Sequence, residues 1–208
     1  MWVHTIKTMK IYHASKLSAS LFLCALVLGA SSCGSTTPKT CATGGSCQVG
    51  DIGPGTGRVI YDAGVPQQWG QYIEVAPSDL QGAEWCDKSN TTVPDARAVD
   101  LGDGAANTAA MNESCTTGIS IEVSRYDAGG KNDWVVPSKA ELDQIWQYAK
   151  IVNNLKQDAY WSSTELEATI ANYQFMAAES FRDRRGGPYV KSGKFLTRPV
   201  RLFGPINK

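Results

Sequence analysis

Asp133-Trp134-Val135-Val136-Pro137-Ser138-Lys139-Ala140-Glu141-Leu142 passes from a strand pattern to a helix pattern across a single proline. Trp134, Val135 and Val136 are aromatic or β-branched and predict a strand. Ser138 followed by Glu141 predicts a capping box, in which the serine hydroxyl accepts from the Glu141 N–H and the Glu141 carboxylate reaches back to the Ser138 N–H. Leu142, Ile145, Trp146 and Ala149 then recur at i, i+3, i+4 and i+7, which puts one apolar stripe on the helix. Trp146 falls inside that stripe, which assigns it to the core rather than to a ligand platform.

The flanking sequence fits around this junction. Downstream, Tyr160-Trp161-Ser162-Ser163-Thr164-Glu165 reads as an aromatic strand, 171–175 as another, and Arg198-Pro199-Val200-Arg201-Leu202-Phe203 as a closing strand. Upstream, the glycines and Pro54 of 49–57 punctuate a turn into Arg58-Val59-Ile60-Tyr61-Asp62, with a further strand at 71–75. No Gly-Lys-Ser/Thr follows those glycines, so they do not form a phosphate loop. The alanine-rich stretch 104–115 predicts a helix. In 119–126, Ile119, Ile121 and Val123 alternate, so that segment reads as a helix or equally as a strand. Two main helices, short antiparallel strands and long loops, with no βαβ alternation, give an α+β class.

In order and spacing, 133–142, 160–165 and 198–203 resemble the Lcl C-terminal domain family, a C-type-lectin-like fold of bacterial surface and phage proteins. The resemblance extends over 49–208. It implies a rigid base of strands and helices with long connections gathered on one face as a contact surface. It also raises calcium-dependent sugar binding, but the Glu-Pro-Asn or Gln-Pro-Asp and Trp-Asn-Asp motifs of sugar-binding members are missing. Asn132-Asp133-Trp134 holds similar letters in another order. Asp100, Asp103 and Asn107 lack the spacing of a calcium loop and read as a helix-capping loop. Formylglycine-generating enzymes of the same broad fold use late cysteines, whereas here no cysteine follows Cys115.

Residues 1–32 read as an export signal: Lys7, Lys10 and Lys16 precede an apolar run at 17–28. Gly29-Ala30-Ser31-Ser32-Cys33 resembles a bacterial lipobox, which makes Cys33 the expected lipidated N-terminus. Residues 33–48, rich in Gly, Ser and Thr, read as a flexible tether, and 49–208 as one domain. Losing three lysines from 20 basic residues leaves 17 against 20 acids, a net charge of −3, which offers nucleic acid no field. Both histidines, His4 and His13, leave with the signal. The mature chain therefore has none, which excludes a Ser-His-Asp triad, a Cys-His pair and histidine-ligated zinc. Beyond Cys33 lie four cysteines with three possible pairings. The local set is expected: Cys41 with Cys47, and Cys86 with Cys115, the latter closing a loop worth about 3.5 kcal/mol. Four-cysteine zinc is the rival, without C-x-x-C spacing to support it. No metal or cofactor is expected.

The segment 182–201 carries Arg182, Arg184, Arg185, Lys191, Lys194, Arg198 and Arg201 against Asp183 alone. Guanidinium groups bind sulfate, phosphate and carboxylate in two-pronged fashion. Arg182, Arg184, Arg185 and Tyr189, beside the turn former Gly186-Gly187-Pro188, are therefore the candidate ligand-binding residues. Arg198 and Arg201 have a structural reading as well. The expected function is a non-catalytic, surface-anchored binding module for an anionic polysaccharide or an envelope partner such as a surface protein. One alternative is an envelope or adhesin scaffold without a small ligand. Another is a glycosidase using carboxylates among Glu165, Glu167 and Glu179. The expected location is the bacterial cell envelope, on the outer membrane, held by the lipid alone. Replacing Cys33 by Ser is expected to move the protein from the membrane to the soluble fraction on cell fractionation.

Overall fold

The capping box forms as the spacing predicts. Ser138 Oγ accepts from Glu141 N at 3.2 Å, and Glu141 Oε2 accepts from Ser138 N at 2.8 Å. This is the computed structural model of the chain, which describes residues 38–176 and 186–207. Its helices are α1 (Asp103–Ser114), α2 (Ile119–Ser124), α3 (Lys139–Gln147) and α4 (Ala149–Val152). Its strands are β1 (Arg58–Gln67), β2 (Gly70–Val75), β3 (Leu80–Ala83) and β4 (Ala159–Glu167), then β5 (Ile170–Phe175), β6 (Gly186–Val190), β7 (Phe195–Thr197) and β8 (Val200–Phe203). One sheet has the order β1-β2-β8 and the other β3-β7-β4-β5-β6. All pairings are antiparallel except β4 with β7. The architecture is mixed α+β, with two sheets and few helices.

Helix α3 places Leu142 and Ile145 in a buried cluster with Ile60, Ile73, Val75, Tyr160 and Val200, and Trp146 packs half-buried at its margin. Segment 119–126 resolves as a helix over Ile119–Ser124. Ile119, Ser120 and Val123 are its buried residues, a helical spacing, while Ile121 is only partly covered. Trp134-Val135-Val136, expected as a strand, makes only a bridge. Val135 and Val200 exchange N–H···O bonds of 2.8 and 3.0 Å. The next N–H, that of Val136, is taken by Thr108 Oγ1 at 3.0 Å, and Pro137 has none to offer. Gly186-Gly187-Pro188, expected as a turn, instead pairs with Gln174, Tyr173 and Asn172 in β6. That strand lies at the sheet edge, where a proline is tolerated.

Both expected disulfides are present, Cys41–Cys47 and Cys86–Cys115. The first lies in the segment read as a flexible tether. Cys41 and Cys47 are buried against Val59 and Tyr72, with Phe203 alongside, so that loop packs on the β1-β2-β8 sheet. Among the described residues no helix is long and apolar enough to cross a membrane.

Three basic residues of 182–201 serve the fold. Lys191 is fully buried, pairs with Glu165, donates to Thr91 O at 2.9 Å and lies 4.7 Å over the Trp85 ring. Glu165 also accepts from Val93 N at 2.8 Å and from Arg97 Nε at 3.1 Å. Arg198 pairs with Asp79 at 2.6 Å and donates to Ala76 O and Asn154. Arg201 bridges Glu74, at 3.1 Å, and Asp133. Glu74 in turn accepts from Gly55 N at 2.9 Å, which holds the glycine turn against β2.

Glu141 binds two helices together. Besides its own cap it accepts from Gly102 N at 2.9 Å and from the Gly104 backbone, in the first turn of α1. Burial pushes its carboxyl up to about 7, against the pull of the N–H groups of Ser138, Gly102 and Gly104; Asp103 nearby raises it further. The folded protein therefore holds a proton there that the unfolded chain releases near pH 4.5. This contribution to stability is fully present below about pH 4.5 and is lost as pH rises towards 7. Between pH 5 and 7.5 the wild type should lose on the order of 2 kcal/mol relative to Glu141→Gln, read by urea unfolding. Parallel curves for the two proteins would show that Glu141 does not titrate in this window. Lys191→Met should cost about 3 kcal/mol or more, because it leaves the buried Glu165 carboxylate with only the exposed Arg97 as counter-charge. A change under about 1 kcal/mol would be an ordinary surface-like effect and would refute the role given to the pair.

Candidate functional site

Tyr189 is the one member of the expected ligand set within the described residues. Arg182, Arg184 and Arg185 lie outside them. Strand geometry places the tyrosine. Trp161 pairs with Tyr173, Tyr173 with Gly187, and Ala171 with Tyr189, so Trp161, Tyr173 and Tyr189 project from one face of the β4-β5-β6 ladder. Phe195 on β7 joins them. Its ring centroid is 4.5 Å from that of Trp161, 5.1 Å from Tyr173 and 4.8 Å from Tyr189. Tyr173 and Tyr189 meet edge to face at 5.7 Å.

The layer is graded from core to solvent. Trp161 is fully buried and donates through Nε1 to Ala83 O at 3.1 Å, while Tyr173 and Phe195 are half-buried and Tyr189 is 44% exposed. Gly193 makes room for the outer ring, since a Cβ there would come within 2.8 Å of Tyr189 Cε1. The result is an aromatic surface stiffened from behind, which offers apolar area with little side-chain entropy left to lose on contact. Sequence reasoning singled out Tyr189 but missed Tyr173 and Phe195. Tyr173 was within reach, because it stands in an expected strand; Phe195 was not, because nothing local marks three residues as a strand.

The other candidates are accounted for by internal bonds. Glu165 is buried with its oxygens taken by Lys191, Val93 N and Arg97, Glu167 is exposed, and Glu179 lies outside the described residues. Asp103 Oδ2 accepts from Asp100 N at 2.7 Å, which makes the helix-entry contact expected of that loop. Asn107 is buried, bonded both ways to Ala98 and to Ser163 Oγ. The cluster of Cys86, Asp87 and Cys115 is explained by the disulfide and by the neighbouring threonines. The Thr116 hydroxyl first, with the Thr116 and Thr117 N–H groups, holds Asp87 below the usual carboxylate range. Compared with protein-family models and with curated proteins, the chain matches none.

Proposed function

We propose that the protein is a non-catalytic binding module of C-type-lectin-like, Lcl-type architecture, tethered to the cell envelope through a lipidated Cys33. Its ligand is an acidic glycan, taken up by Tyr189 together with Arg182, Arg184 and Arg185. The observation that carries this reading is the exposed Tyr189 ring on an edge strand, backed by three further aromatic rings. That strand begins one residue after Arg185. Lys191, Arg198 and Arg201 are consumed by Glu165, Asp79, Glu74 and Asp133. Of the segment's other basic groups, Lys194 is exposed, and Arg182, Arg184 and Arg185, which precede β6, lie outside the described residues. An aromatic face stacks on the C–H surface of a sugar ring while guanidinium groups take its sulfate or carboxylate.

A glycan array followed by binding to immobilised heparin tests this. Binding should weaken steeply between low and physiological salt, and should fall at least tenfold in Tyr189→Ala and in the Arg184→Ala, Arg185→Ala double variant. Binding indifferent to salt and to both variants moves the site elsewhere. A blank array favours the scaffold reading. Turnover of a glycoside that is lost on changing Glu167 or Glu179, with the thermal midpoint unchanged, favours the glycosidase.

A further inference from the structure

The loop closed by Cys41–Cys47 shortens the tether. Because that loop packs on the β1-β2-β8 sheet, the fixed part of the domain begins at Thr40 rather than at residue 49. Thr40 is itself held: its N–H donates to Thr43 Oγ1 at 2.8 Å, and its carbonyl accepts from Gly45 N at 2.8 Å. The chain from Cys33 to Thr40 spans at most about 25 Å even when fully extended. Whatever surrounds Thr40 is thus held close to the surface in which Cys33 is anchored.

That surroundings can be read from the contacts. Thr40, Cys41, Ala42, Ser46, Asp51 and Ile52 border one depression of about 380 Å³, so the turn at 48–52 is a neighbour of the loop from which the tether leaves. The turn is fixed by its own bonds. Gln48 N donates to Asp51 Oδ2 at 2.8 Å, Gly50 N to Val59 O at 2.8 Å, and Val59 N to Asp51 O at 2.9 Å. On this backbone two large aliphatic side chains face water, Val49 at 37% and Ile52 at 42% exposure. Two exposed cations flank them: Lys39, beside Thr40, and Arg58, which donates from Nη1 to Gly50 O at 2.9 Å. Asp51 is the one acid in 38–58, and its Oδ2 is already engaged by the Gln48 N–H.

We propose that this surface, made by 39–42, 48–52 and Arg58, rests on the lipid bilayer. Val49 and Ile52 enter the headgroup layer, and Lys39 and Arg58 face its phosphates, the arrangement in which long basic side chains keep their charge at the interface. This contact presupposes the lipidated Cys33 of the function proposed above. Two aliphatic side chains and two cations are too few to hold a free protein on a membrane, as the release expected of Cys33→Ser requires. The short tether changes the balance. It makes the contact intramolecular, at an effective concentration in the millimolar range, so a contact too weak to recruit the domain suffices to orient it. None of the residues assigned to the acidic glycan takes part; Tyr189 stands on the larger sheet, whereas this surface packs on the smaller one.

The test is NMR of the acylated mature protein in nanodiscs of phosphatidylethanolamine with a minor share of phosphatidylglycerol, with and without a lipid that carries a nitroxide at its headgroup. Amide signals of 39–52 should be broadened several-fold more than those of 186–190 and of α1. Val49→Glu, Ile52→Glu changes two exposed positions and should abolish this preference. The double variant should still carry the acyl mass on Cys33 and float with vesicles of the same lipids. Absence of the acyl mass overturns the anchor and the docking with it. An acylated, floating protein whose broadening shows no preference for 39–52 overturns the docking alone, and so does a preference that the double variant leaves intact. A Cys33→Ser protein that dimerises in sedimentation, with the dimer lost in the double variant, assigns the surface to a second copy and overturns the docking as well.

Discussion

Glu165 and Lys191 are both wholly buried, and the Lys191 charge is tolerable there only because Glu165, itself also held by Arg97, faces it. Much of the arrangement hangs on this. Glu165 stands on β4, Lys191 just past β6, and their remaining bonds run to Thr91, Val93 and Arg97 in the long connection after Cys86. A segment with little apolar content of its own is thereby fixed to the middle of the larger sheet. Arg198 with Asp79, and Arg201 with Glu74, do the same for the connection after β2 and for the closing strand. Such pairs add little net stability compared with apolar packing of equal volume. Their effect is selective, because any other register of these strands strands a charge away from water.

The helices are joined by a similar device of opposite sign balance. Among the described residues Glu141 has no cation opposite it; it answers N–H groups at the starts of both α3 and α1. One carboxyl group thus sets where two helices begin, and Gly102, at the start of α1, is also the residue on which Trp69 rests. The orientation of α1 is coupled to the cap of α3.

What could be read in advance follows from how local each signal is. The capping box lies within four residues, and α1 and α3 follow from propensity and period, so these elements came out as expected. The two disulfides were read from proximity in sequence. The strands β3, β6 and β7 were not, because their specification lies in partners: Gly186-Gly187-Pro188 is a strand only because β5 is beside it. The partners of the basic run were hidden for the same reason. A positive charge is visible at Arg198 or Arg201, but Asp79 and Glu74 stand 119 and 127 residues away. Tyr189 was readable as an aromatic residue in a basic setting, whereas its backing by Phe195 depends on the chain reversal around Gly193.

The place of β7 has a consequence for the order of events during synthesis. Phe195–Thr197 lies between β3 and β4 in the larger sheet, and Val200–Phe203 is the third strand of the smaller one. Neither sheet can close until 195–203 is in place. Without 195–203, β3 cannot reach β4, because the strand that separates them is missing, and β2 has β1 as its one strand neighbour. Folding is therefore a late, long-range event.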